Sequence, residues 1–256
     1  MGRWWGRKRT ETVEEAVPPP RREDRSVRGT LAGRIDGSAG PRAVTLSVLD
    51  AGLALAVDGD AASAAAPREY GWAEVTHVWF ANDLEGHEVE GDAVSTRWIY
   101  DIRLEFTDGT VVASRLGEPP VVTPGALFRS GRLAERPESD IWPLLAHIRT
   151  HVTEERLAEV ESALAAGGQV EFGPLIATAD GLGHEGTLIP WQDITVLRYS
   201  FIHADTDPSE IGAFLRIEYR DPDAGQFGFP FRWLRIPALE VPDTEALERL
   251  AARLRE

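Results

Sequence analysis

The chain has no cysteine, a single methionine and a single lysine among its 256 residues. Without thiols there is no disulfide framework, no thiolate zinc site and no cysteine nucleophile, a usage that fits a reducing compartment. Lys8 is the one lysine and stands in an N-terminal stretch of tail-like composition. A P-loop lysine, a Schiff-base lysine and a kinase-type lysine are therefore excluded from the body of the protein. Long hydrophobic runs are missing as well. No stretch approaches the roughly 18 consecutive apolar residues of a membrane span. The basic start, Met1 to Arg9, runs directly into Thr10-Glu-Thr-Val-Glu-Glu15 without the apolar region that a signal peptide needs. A cytoplasmic, soluble protein is the expectation.

Positive charge is scarce outside the start of the chain. The formal net charge is -15, and residues 1–30 carry eight basic and five acidic side chains, so the remainder stands at -18. So acidic a body repels phosphate backbones, and nucleic acid is not an expected partner. A hydrophobic content of 43% is nevertheless ample for a buried core, and the length suits one large domain or two of ordinary size.

What is present is strand periodicity, then a helix, then strands again. Residues 1–28 combine charge with Pro18-Pro-Pro20 and read as a disordered tail. Alternation begins at Val44-Thr-Leu-Ser-Val48, turns at Asp50-Ala-Gly52 and resumes through Leu53, Leu55 and Val57, the pattern of a half-buried hairpin. Further strands are expected over 75–81, 98–106 and 110–116, the last two joined by the turn Thr107-Asp-Gly109. A helical stripe follows through Ile141, Leu145, Ile148, Val152, Leu157, Val160 and Leu164, and Gly167-Gly168 ends it. Pro143 is compatible with this helix in its first turn.

After the double glycine the pattern starts over. Gly181-Leu182 repeats Gly52-Leu53, and Trp191-Gln-Asp-Ile-Thr195 repeats Trp72-Ala-Glu-Val-Thr76. Phe214-Leu-Arg-Ile-Glu-Tyr219 stands for Tyr100-Asp-Ile-Arg-Leu-Glu-Phe106, and a final amphipathic segment through Leu247, Leu250 and Leu254 starts from an Asp243 or Thr244 N-cap. The first copy carries an alanine-rich insertion at 58–67 and a proline-rich excursion at 117–138.

The Trp-x-acid-aliphatic step before the third strand, with the run Leu164 to Leu175, Gly181-Leu182 and Leu188-Ile-Pro-Trp-Gln-Asp-Ile194, resembles a family of uncharacterised bacterial proteins with two tandem pleckstrin-homology-like halves. The resemblance implies an α+β, mainly β fold. It consists of two partly open β-barrels or strongly bent sheets, each capped by a C-terminal helix, with units at 29–167 and 168–256. It implies no transferable activity. Relatives of that fold that bind inositol phosphates use a basic first loop. Here that loop is Asp50-Ala-Gly52 or Asp180-Gly181, without cations, so no phosphoinositide ligand is expected.

Candidate site residues are few. Trp72 and Trp191, with Gly52 and Gly181, occupy equivalent positions in both copies and read as structural anchors. His147, His151 and Glu155 fall in one helical row, but the general-base glutamate of a zinc helix is missing between the histidines, and no metal is expected. Asp205-Thr-Asp-Pro-Ser-Glu210 reads as a solvated acidic hairpin, not a calcium loop. No serine has the spacing of a nucleophile elbow. His77, His87, His184 and His203 lack a nearby partner in sequence. Neither a catalytic residue nor a cofactor is expected. The reading that results is a non-catalytic binding or scaffold module with a protein partner or self-association. A second is peripheral attachment to the inner face of a membrane through Arg3, Trp4, Trp5, Arg7, Lys8 and Arg9, where four cations would supply on the order of 4 kcal/mol.

Overall fold

A computed structural model describes residues 26–37, 40–58, 66–89, 93–124, 140–202, 212–221 and 231–255. The candidate membrane contacts Arg3 to Arg9 and the acidic segment 205–210 lie outside the described residues.

The first half is an antiparallel meander. Strands β1 (Val27–Gly37), β2 (Gly40–Leu49), β3 (Gly52–Val57) and β4 (Arg68–Gly71) precede β5 (Val75–Val89), β6 (Ala93–Phe106), β7 (Val111–Gly117) and β8 (Val121–Pro124). The helix α1 (Ile141–Ala165) follows, with Pro143 in its first turn. In the second half β9 (Val170–Phe172), β10 (Leu175–Ala177), β11 (Gly181–His184) and β12 (Thr187–Pro190) precede β13 (Ile194–Ile202), β14 (Gly212–Arg220), β15 (Phe231–Pro237) and the helix α2 (Thr244–Leu254). Each half is thus four strands, then three, then a helix, with β8 as an addition to the first. No described helix is long and apolar enough to cross a membrane.

The fold is mainly β with helices, but neither half closes into a barrel. The first half is one sheet in the order β4-β3-β2-β1-β7-β6-β5, joined at β1 and β7 through the pairs Arg34–Ala113 and Ile35–Val112. The second half is two separate sheets, β12-β11-β10-β9 and β13-β14-β15. Its β9 has three residues where β1 has eleven, and it pairs with β10 alone. β1 lies ahead of the first alternating segment that the sequence displays and takes in Val27 and Arg28, residues whose composition groups them with the tail. Glycines at 29, 33 and 37 interrupt its hydrophobic pattern, so its pairing with β2 carries it.

The two copies agree in local geometry. Gly52 pairs with Gly71 and Gly181 with Pro190, each just before the tryptophan of a single 3-10 turn, Trp72–Glu74 or Trp191–Asp193. The indole N–H of Trp72 donates to the Asp50 carbonyl and that of Trp191 to the Thr178 carbonyl, both at 2.9 Å. The next strand of each copy opens with a bulge, between Val75 and His77 or between Ile194 and Val196. Thr76 and Thr195 then donate to the Glu105 and Glu218 carbonyls at 3.2 Å. Both tryptophans are buried. Each seals the seam between its first hairpin and its long strand, and the hydrogen bond removes the cost of burying the ring nitrogen.

α1 serves two hydrophobic cores. Leu144, Leu145, Ile148 and Val152 belong to the core of the first half, and Leu157, Val160 and Leu164 to that of the second. At 25 residues the helix spans about 37 Å, enough to lie along both.

A Cβ on Gly52 would stand 2.0 Å from the Tyr70 carbonyl oxygen, and one on Gly181 2.3 Å from that of Ile189. Backbone cannot yield as a side-chain tip does. Gly52→Ala and Gly181→Ala should each cost about 1–3 kcal/mol or more in urea denaturation. Gly71→Ala, whose Cβ would meet Glu74 at an ordinary 3.7 Å, should change stability by less than about 0.5 kcal/mol.

Candidate functional site at the junction of the halves

The halves meet around one carboxylate. Asp243, 1% exposed, occupies the N-cap position of α2 in a left-handed conformation with φ of 53°. It makes no side-chain cap. Its backbone N–H donates to the Val78 carbonyl at 2.8 Å, and its Oδ1 accepts the Val78 N–H at 2.9 Å. Oδ2 takes His77 Nδ1 at 2.7 Å and stands 3.2 Å from Arg156 Nε. Elements β5, α1 and α2 are thereby tied to one side chain. His77 and Asp243 are 166 residues apart, which is why neighbourhood in the sequence shows His77 without a partner.

Further contacts widen the joint. The Tyr199 hydroxyl accepts the Asn82 N–H at 2.8 Å and bonds to the Asn82 side chain. Arg149 reaches Glu245 at 3.2 Å while its guanidinium lies 4.5 Å from the centre of the Phe80 ring. Glu248 accepts the Tyr199 N–H, and burial pushes its carboxyl above the usual range.

Beside the joint lies an open groove of about 600 Å³. Its floor is the outer face of β1, β7, β6 and β5, and Leu239 of the second half forms a wall. Register explains the lining: Arg34 pairs with Ala113, Ala113 with Arg103, and Arg103 with Trp79, so the four form a single cross-strand row. Alternation sends their side chains to one face. The guanidinium of Arg103 stacks at 4.5 Å over Trp79. Trp79 in turn lies 5.5 Å from the His77 ring, so the groove is held by the same strand that holds the joint. One row along, Arg115 bridges Asp101 at 3.3 Å and Glu85 at 3.2 Å, and Arg97 takes Glu85 at 2.7 Å. Burial raises the Asp101 carboxyl above its usual range against the pull of Arg115, while the Arg97 hydrogen bond holds Glu85 below its own.

The second half has the equivalent arginine in a different state. Arg216 pairs with Arg198 and Arg235 across the sheet, as Arg103 pairs with Trp79 and Ala113. Its guanidinium forms an ion pair with Glu218. Glu105 occupies the corresponding place beside Arg103, yet Arg103 takes the indole face instead. Trp79 has Arg198 as its counterpart, and in the second half it is Arg235, next to Arg216 in the row, that lies over an indole, that of Trp233, at 4.5 Å.

The anchors named from the sequence lie elsewhere. Trp72, Trp191, Gly52 and Gly181 sit at the seams of the hairpins and do not line the groove. The histidine row packs on Trp72: His151 is stacked on its indole at 4.9 Å, and His147 meets the indole edge-on at 5.5 Å and His151 at 4.5 Å. Among the described residues no three His, Asp or Glu side chains are grouped so as to hold a metal ion. A second open groove, about 510 Å³, lies between β1 and the start of α1, with His147 in its wall. Burial, aided by Arg28 and His151, pushes His147 below its usual value, and its Nε2 has no hydrogen-bond partner. The groove residues Arg34, Arg103, Arg115, Trp79 and Leu239 escaped sequence reading. Alternation in β6 and β7 placed some of them on an outer face, but no local signal joins 34 to 113 or 239 to 79. The chain matches no protein-family model and no curated protein.

Asp243→Ala leaves the Val78 N–H and His77 without their acceptor, removes the ion pair with Arg156 and should cost about 3–5 kcal/mol in denaturant unfolding. His147 supplies a pH dependence. Its folded value lies below its unfolded one, near 6.5, so the unfolded chain takes up the proton first as pH falls. Its contribution is full above about 6.5 and is lost below. The decline in urea midpoint on going from about pH 7.5 to about pH 5 should be shallower in His147→Gln.

Proposed function

We propose that the chain is a non-catalytic binding or scaffold module, built from two tandem pleckstrin-homology-like units, whose partner is another protein. The arrangement of four strands, three strands and a helix in each half, with matched Trp turns and bulges, supports the tandem reading. The observation that carries the function is the groove beside the joint. It is open, it takes its walls from both halves, and beside Leu239 it combines Trp79 with three arginines, residue types that supply binding energy at protein interfaces.

The groove also differs between the copies, because the second half pairs its equivalent arginine with its own glutamate. Leu239 is 48% exposed and can be changed without disturbing either core. Affinity capture with the full chain should return a stoichiometric protein partner that Leu239→Glu, folded to the same melting temperature, fails to hold. The same proteins on both baits, or none on either across conditions, would sink the proposal.

A further inference from the structure

We infer that the groove between β1, β7, β6 and Leu239 is a seat for an acidic linear segment of a partner protein, with aspartate or glutamate side chains on Arg34 and Arg103. The inference rests on the protein-binding reading above and adds the chemistry of the partner. Charge complementarity carries it. In a chain with 42 acidic residues against 27 basic ones, an arginine has carboxylates in excess available to it. Arg28, Arg68, Arg97, Arg115, Arg149, Arg156, Arg216, Arg232, Arg249 and Arg253 each form an ion pair. Arg34 and Arg103 form none among the described residues, and neither do Arg42, Arg198, Arg220 and Arg255, but of these six only Arg34 and Arg103 line the groove.

The geometry suits an extended guest. Arg34 and Arg103 stand on strands two apart, with Ala113 between them in the row. Strand spacing then puts their backbones about 10 Å apart. The alanine leaves the space between the two side chains open, so both guanidiniums can converge on carboxylates lying over it. Charge-assisted hydrogen bonds of this kind are the stronger ones, and a planar guanidinium can take a carboxylate in a two-point grip. Trp79 holds the Arg103 guanidinium over its ring, which limits the rotamer freedom lost on binding. Leu239 provides an apolar contact for a residue flanking the acidic ones.

Competing fates for Arg103 are visible inside the molecule. Glu105 is placed relative to Arg103 as Glu218 is to Arg216, and in the second copy that pair is closed. In the first copy the indole takes the place of the carboxylate. A cation–π contact fixes the direction of the guanidinium without neutralising its charge, so the positive potential of the groove survives.

Fluorescein-labelled hexaglutamate is the probe, read by anisotropy against the full chain at low salt. Saturable binding should appear and weaken as salt rises. Arg34→Glu with Arg103→Glu should weaken it at least about tenfold. Arg220→Glu, a charge reversal at one exposed site off the groove, should alter it by less than about twofold. Asp101→Asn, which removes a carboxylate from the groove, should tighten it. Loss of the inference follows from no saturable binding, or from an equal loss in Arg220→Glu. It follows also if phosphatidylserine vesicles bind the full chain and lose it in the double variant, since the groove would then face a lipid surface. A partner released by Leu239→Glu while hexaglutamate fails to bind leaves the protein-binding reading intact and removes this one alone.

Discussion

A single buried carboxylate holds the architecture together. Taking Asp243 out of water costs several kcal/mol, and the cost is offset only while the Val78 N–H, His77 and Arg156 converge on it. These groups come from a strand of the first half and from the helix that links the halves. The left-handed backbone at Asp243 aims the carboxylate away from its own helix and toward β5. An N-cap position has been diverted from closing a helix to closing an interface.

That constraint explains the shape of the surface beside it. β5 carries the bulge at Val75 and His77, then His77 in the joint, then Trp79 in the groove two residues on. Strand alternation places both rings on one face, so fixing His77 orients the strand that presents Trp79. α1 adds a second constraint by burying its first half in one core and its last turns in the other. A helix packed on both sides leaves the halves little freedom to rotate against each other, and a groove walled by both keeps its form.

The copies show how a repeated unit acquires a difference. Seams that the fold requires are matched between them: glycine before a leucine, tryptophan bonded to the turn carbonyl, a bulge, a threonine bonded across the ladder. The outer face of the three-stranded part is unmatched. At the equivalent position one copy sets Arg103 on the Trp79 indole and the other pairs Arg216 with Glu218, with Arg235 beside it on the Trp233 indole. Inward positions are restrained by packing, whereas outward ones are free to change chemistry without loss of the core.

Much of the element order was legible in the residues. Period-2 alternation marks β2, β3, β6 and β7, a 3.6-residue stripe marks α1, and the double glycine marks its end, because each of these patterns is local. β1 was hidden by its glycines and by the charged stretch before it. The mainly β character with helices that the resemblance implies is present, while the sheets are not closed into barrels: the first half is one open sheet through β1 and β7, and the second is two separate sheets. The sequence by itself determined the periodicities, the repeat and the anchors at its seams, all of which depend on residues near one another in the chain. Tertiary structure alone decided that Asp243 meets His77, that α1 is shared and that Arg34, Arg103, Trp79 and Leu239 line one groove. Such pairings depend on register and on packing between distant segments, and no local pattern encodes them.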